Sequence, residues 1–133
     1  MMSVHDTVPQ DERIVPRTRR HIEIYDTTLR DGSQAEGVAF SVEAKLRLLQ
    51  EFDAIGIDFV EGGWPFSNPR DQEFYRRAAL LPLKHARLVP FGSTRRKEFP
   101  PEEDPNLHSL VETKCQAATI FGKKLGPPRD GYP

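Results

Sequence analysis

The chain has 133 residues, long enough for one ordinary domain, with 19 Lys and Arg set against 20 Asp and Glu. That balance gives no reason to expect nucleic acid or an anionic membrane as a partner, and no apolar run approaches the roughly 20 residues that cross a bilayer. The single cysteine, Cys115, excludes an internal disulfide and fits a reducing cytoplasm.

Residues 1–20 are polar and lack an apolar signal core. Arg17, Arg19 and Arg20 suggest a basic arm, but Asp6, Asp11 and Glu12 argue against a transit peptide, so a disordered leader is expected. A strand is predicted over 21–26. Ser41 caps a predicted helix over 42–55, with Glu43 at the positive end of its dipole, an apolar stripe of Val42, Leu46, Leu49 and Phe52, and Gly56 as its stop. A second strand, 57–63, ends in glycines. Asn68 as cap and Pro69 at the first helical position open a helix within 67–81, which Pro82 ends. A third strand follows over 86–92. Asp104 and Pro105 repeat the cap-then-proline opening for a helix over 104–114, and a fourth strand covers 116–122. The last residues, 123–133, hold prolines and glycines that suit neither helix nor strand and read as an irregular tail.

Asp31, Glu61, Phe91 and Phe121 mark the predicted strand ends at intervals of 30 residues. About 30 residues is one βα unit, and such units demand parallel strands. Two architectures use them, the doubly wound sheet and the (β/α)8 TIM barrel. The glycine-rich dinucleotide fingerprint is missing after the first strand, and polar residues at successive strand ends favour the barrel. The expected fold is therefore α/β, the first half of a TIM barrel over residues 21–122, since eight units need about 250 residues.

Asp31 and Glu61 close the first two predicted strands, so both carboxylates could face one pocket as hard ligands for a divalent cation. Arg30 is permanently charged and suited to a substrate carboxylate or a developing oxyanion. Strand alternation would separate Arg30 from Asp31, and Gly32 suggests that the chain is already turning there. A surface Arg30–Asp31 ion pair is the competing reading. Trp64 either lines a pocket or packs as a plain aromatic. Ser93, Thr94 and Arg95, after the third strand, either touch substrate or form a solvated loop. Cys115, before the fourth strand, is a small core or boundary residue rather than a nucleophile.

The stretch "IEIYDTTLRDGSQ" resembles the opening signature of the DRE-TIM metallolyases, a superfamily with a pyruvate carboxyltransferase-like domain. Its Asp, Arg and Glu match Asp31, Arg30 and Glu61. "GIDFVEGGWPFSNPRDQEF" and "LVPFGSTRR" look most like the citramalate synthase branch. The resemblance implies a Claisen condensation of acetyl-CoA with a 2-oxo acid, pyruvate in that branch, towards isoleucine. It implies a divalent metal (Mg2+ or Mn2+, with Zn2+ as a further option) with Asp31 as a ligand. Arg30 would stabilise charge on the substrate oxygens, and Gln34 and Thr94 would contact substrate. Glu61 would either support the metal-side network or assist proton transfer. Members of the family are expected as cytoplasmic homodimers. Isopropylmalate or homocitrate synthesis, acyl-CoA cleavage, and a non-catalytic half-barrel that pairs with a copy of itself are the alternatives.

The family completes its metal site with an H-x-H pair, whereas His5, His21, His85 and His108 form no such pair, and the last three read as solvated or structural. The 133 residues alone are therefore expected to show no acetyl-CoA condensation with Mg2+ or Mn2+. Robust turnover that Asp31→Asn abolishes would contradict this.

Overall fold

The computed structural model describes residues 20–122. The expectations for residues 1–19 and 123–133 lie outside them. Four strands alternate with three helices among the described residues: β1 (Tyr25–Asp26), α1 (Val42–Ile55), β2 (Phe59–Gly63), α2 (Pro69–Ala78), β3 (Arg87–Ser93), α3 (Pro105–Glu112) and β4 (Thr119–Phe121). The strands lie in chain order, β1-β2-β3-β4, each parallel to the next. A doubly wound sheet reverses its strand order part way, and this one does not. The result is a half-barrel, the first half of the TIM architecture.

The helix ends follow from local chemistry. Ser41 accepts from the Ala44 N–H at 3.1 Å, and Gly56 closes α1 at φ 87° in the left-handed region. Asn68 accepts from Asp71 N at 2.8 Å ahead of Pro69. Asp104 takes the N–H groups of Asn106 and Leu107. Leu46 and Leu49 are buried and Val42 and Phe52 pack against them, as the apolar stripe requires. They meet Leu29, Val60, Phe74 and Tyr75 in one core between helices and sheet. Helix α2 stops at Ala78, short of the expected 81, and the chain leaves it in turns closed by Leu80 N–H to Arg77 O and Leu81 N–H to Ala78 O.

β1, β2 and β4 are shorter than expected, whereas β3 keeps its seven residues, shifted by one. Residues 21–24 were expected in β1, but the strand begins at Tyr25: the Ile24 carbonyl still accepts from Phe59 N at 3.0 Å, while its N–H turns to the Asp58 carboxylate at 2.8 Å. Asp31 does not end a strand; it lies five residues beyond Asp26, in a helical turn. Glu61 pairs with Val89 and Phe91 with Thr119, both 28 residues apart. The 30-residue interval is therefore not level pairing. It climbs two residues per strand, an even number, which keeps Glu61, Phe91 and Phe121 on one face.

Helix α2 lies very close to the end of β2. A Cβ on Gly63, at φ 132°, would stand 2.5 Å from Asp71 Oδ2, and one on Gly62 would stand 2.6 Å from Phe74 Cε1. Gly63→Ala is expected to cost at least about 2 kcal/mol in urea unfolding. Gly32 is different: its φ is not positive, and a Cβ there would stand 3.4 Å from Thr28 Cγ2, an ordinary contact. The turn winds helically and does not need glycine, so Gly32→Ala should stay within about 0.5 kcal/mol of the parent. No helix among the described residues is long and apolar enough to cross a membrane.

Candidate active site

After β1 the chain winds at once. The Thr27 carbonyl accepts from Arg30 N at 3.2 Å and Asp31 N at 2.7 Å. Asp26 holds Thr28 through both its N–H (2.9 Å) and its hydroxyl (3.0 Å). Leu29 is fully buried and anchors the turn. Arg30 then reaches Glu61 on β2, whose side chain is only 2% exposed. Its Nε donates to Glu61 Oε1, and the Tyr25 hydroxyl donates to Glu61 Oε2. The Tyr25 oxygen also meets Thr119 Oγ1 on β4. The guanidinium carbon lies 4.1 Å from the centre of the Phe91 ring, so the cation stacks on an aromatic face.

This geometry replaces the neighbouring ion pair with a longer-range one. Arg30 Nη1 and Asp31 Oδ1 are 3.8 Å apart, and the Asp31 side chain is 65% exposed, which makes that contact a weak surface pair. The strong partner of Arg30 is Glu61. Burial, then the bond to Glu61, pushes the Tyr25 phenol up to about 12, so it stays protonated and donates at neutral pH.

Arg30, Ser33, Gln34, Phe40, Trp64 and Phe91 line a cleft of about 780 Å³. Trp64 serves both expectations, because it lines the cleft and packs edge-on against Phe91 at 5.9 Å and Phe121 at 6.0 Å. Its indole N–H donates to Asn106 Oδ1 at 2.8 Å, and Asn106, fully buried, donates to the Ser93 carbonyl at 2.7 Å. Also in the cleft wall, Lys45 Nζ donates to the Gly62 carbonyl at 2.6 Å and to Asp71 Oδ1 at 2.7 Å. Asp71 Oδ2 accepts from Trp64 N and Asn68 Nδ2, both at 3.1 Å. One buried ion pair thus ties α1, α2 and the end of β2 together.

Gln34 is exposed on the cleft. Thr94 is exposed past the end of β3, where its N–H donates to the Phe121 carbonyl at 2.9 Å, and it does not line the cleft. Arg95 turns onto the Phe99 carbonyl at 2.7 Å. His85 faces Asp58 Oδ1 at 2.9 Å and His108 faces the Glu102 carbonyl, both away from the cleft. Cys115 is part-buried against the core, and burial pushes its thiol up, away from a reactive thiolate. The backbone N–H of Arg96, then those of Leu107 and Asn106, hold the Asp104 carboxyl below its ordinary value. Its contribution to stability is present above about pH 4 and fades as pH falls through the lowered value.

Sequence reading passed over Tyr25, Lys45, Asp71 and Asn106. A signal existed for Lys45: it lies on the apolar stripe of α1, three residues after Val42 and four before Leu49. A lysine there needs a buried anion, and Asp71 in the first turn of the next helix supplies it.

Among the described residues no three His, Cys, Asp or Glu side chains come together to hold a metal ion. Both Glu61 oxygens already accept hydrogen bonds, and Asp31 offers one exposed carboxylate. A hard divalent cation needs more oxygen ligands than this, so the described residues do not by themselves fit one.

The HMGL-like family model matches residues 21–102. The chain is 51% identical over 100 residues to an (R)-citramalate synthase of Aquifex aeolicus, a match covering 75% of this chain and 19% of that protein. It is 47% identical over 102 residues to an (R)-citramalate synthase of Geobacter sulfurreducens, covering 77% and 19%. It is 41% identical over 107 residues to a 2-isopropylmalate synthase of Thermosynechococcus vestitus, covering 74% and 20%. The chain spans about a fifth of the length of the curated relatives it matches. With the family model matching well over half of its residues, and the strands and turn that carry the signature arranged as a half-barrel, the chain belongs to the HMGL-like family.

Proposed function

We propose that the chain is the N-terminal part of an acyltransferase that condenses acetyl-CoA with pyruvate to give citramalate, a step towards isoleucine. The observation that carries this reading is the state of Arg30. Glu61 holds its Nε and Phe91 supports its plane, while no hydrogen bond among the described residues uses its terminal nitrogens. A guanidinium fixed at the wall of a cleft, with Nη1 and Nη2 left over, suits the oxygens of a 2-oxo acid. A base takes a proton from the acetyl methyl, and the resulting enolate carbon forms the new bond to the keto carbon as the carbonyl π bond breaks; the oxygen is protonated afterwards. The keto oxygen gains negative charge as that bond forms, and Arg30 stabilises it there. Hydrolysis of the thioester then releases CoA.

Glu61 accepts a donor on each oxygen, which favours an orienting role over proton transfer. Gln34 adds an amide at the cleft, whereas Thr94 lies outside the cleft lining and is assigned no substrate contact. Asp31 matches a metal-ligand position of the family signature and would contribute one carboxylate to a divalent ion. Trp64, Phe91 and Phe121 form an aromatic wall suited to a small apolar group such as the pyruvate methyl.

The test is CoA release by the full-length protein. Pyruvate should be preferred over 2-oxoisovalerate by about tenfold or more in kcat/KM, the scale on which a shaped apolar pocket discriminates. Equal or better use of 2-oxoisovalerate would favour the isopropylmalate reading, which the 41%-identical 2-isopropylmalate synthase supports. Cleavage of an acyl-CoA without condensation would favour the lyase reading.

A further inference from the structure

An arginine facing a carboxylate ordinarily forms a two-pronged pair, with two nitrogens on two oxygens. Arg30 and Glu61 do not. Only Nε donates, to Oε1, while the Tyr25 hydroxyl donates to Oε2. Tyr25 is in turn held from the far edge of the described sheet, where Thr119 Oγ1 meets the same phenolic oxygen. The row Thr119–Tyr25–Glu61–Arg30 therefore runs from β4 across β1 and β2 to the turn above the cleft. Glu61 is buried with both oxygens satisfied, and no buried side-chain polar atom among the described residues lacks a partner.

We propose that Tyr25 is a positioning residue for the reaction: by blocking Glu61 Oε2 it keeps the Arg30–Glu61 pair single-pronged and leaves Nη1 and Nη2 for the substrate. This rests on the reading of Arg30 as the group that binds the 2-oxo acid. Tyr25 touches neither substrate nor reacting atoms and acts only through Glu61. Without its hydroxyl, Oε2 is a buried acceptor with no donor, and the nearest remedy is for Arg30 to swing a terminal nitrogen onto it. The site then keeps its charge pair and loses its free edge.

This arrangement separates positioning from mere support. Tyr25→Phe in the full-length protein is expected to raise KM for pyruvate by about tenfold, the scale of one hydrogen bond to a charged group. KM for acetyl-CoA should stay within about twofold, and Tm should hold, because the rearranged pair still satisfies Glu61. Thr119→Val, which removes only the second tie on the phenol, should raise the same KM by a smaller factor, about threefold, and serves if Tyr25→Phe does not fold. An unchanged pyruvate KM in Tyr25→Phe overturns the proposal. So does a fall in Tm accompanied by equal changes in both KM values, the mark of a purely structural role. Arg30→Gln is the control. If it raises the pyruvate KM while Tyr25→Phe does not, the positioning role alone fails. If Arg30→Gln leaves the pyruvate KM unchanged, the functional reading fails and takes this proposal with it.

Discussion

On the proposed reading, Arg30→Lys in the full-length protein is expected to lower kcat/KM for the 2-oxo acid by about 100-fold or more, with folding largely kept. Lysine retains the charge but not the planar fork, so it cannot hold Glu61 with one nitrogen and present two others to a ligand. Loss of a fixed donor at a developing oxyanion costs on the order of 10²–10³ in rate. Arg30→Ala goes further. The Glu61 side chain is 2% exposed and the Arg30 side chain 20% exposed, so removing the cation strands a buried carboxylate and costs about 3 kcal/mol in urea unfolding. The paired change Arg30→Met with Glu61→Leu should recover most of that stability and none of the activity, because apolar groups of similar volume replace a buried ion pair well. If Arg30→Lys kept full activity, the site would not depend on the geometry described above.

Lys45→Met is the larger structural lesion. The side chains of Lys45 and Asp71 are 3% and 11% exposed, with Nζ and Oδ1 2.7 Å apart. Removing the lysine leaves Asp71 as an uncompensated anion in the cleft wall, at an expected cost of about 3–5 kcal/mol. Asp71→Asn should cost less, since the amide oxygen still accepts from Trp64 N or Lys45 Nζ. Asp71 also sets the backbone at Trp64, so Lys45→Met should loosen the aromatic wall. Trp64 fluorescence, followed alongside the unfolding curve, reports this. A loss below about 1 kcal/mol would show that α1 and α2 hold β2 without the ion pair.

The helices were the most legible part of the sequence. Ser41, Asn68–Pro69 and Asp104–Pro105 each begin a helix where a cap places it, and Gly56 ends α1 where a left-handed residue is needed. Strand order followed from the repeated unit, but strand length did not. Apolar runs mark what can be extended, whereas a ladder needs a backbone partner for each group, and the Ile24 N–H goes to the Asp58 side chain instead. Within the site, Arg30 and Glu61 were legible through one short motif and the spacing of the units. Their direct bond was not, because a strand-end model put Asp31 and Glu61 side by side, whereas the turn after Asp26 gives that place to Arg30. Tyr25 with Glu61, Lys45 with Asp71, and Trp64 with Asn106 join residues 36, 26 and 42 apart, so only the folded half-barrel brings them together.

In the proposed reaction Arg30, held on one side by Glu61, offers its terminal nitrogens to a 2-oxo acid. A crystal structure of the full-length protein soaked with pyruvate tests it most directly. Pyruvate oxygens are expected within hydrogen-bond distance of Arg30 Nη1 or Nη2, with Nε still on Glu61 and the Tyr25 hydroxyl still on the other Glu61 oxygen. Pyruvate bound away from Arg30, or Arg30 with both terminal nitrogens turned onto Glu61 in that complex, would contradict it.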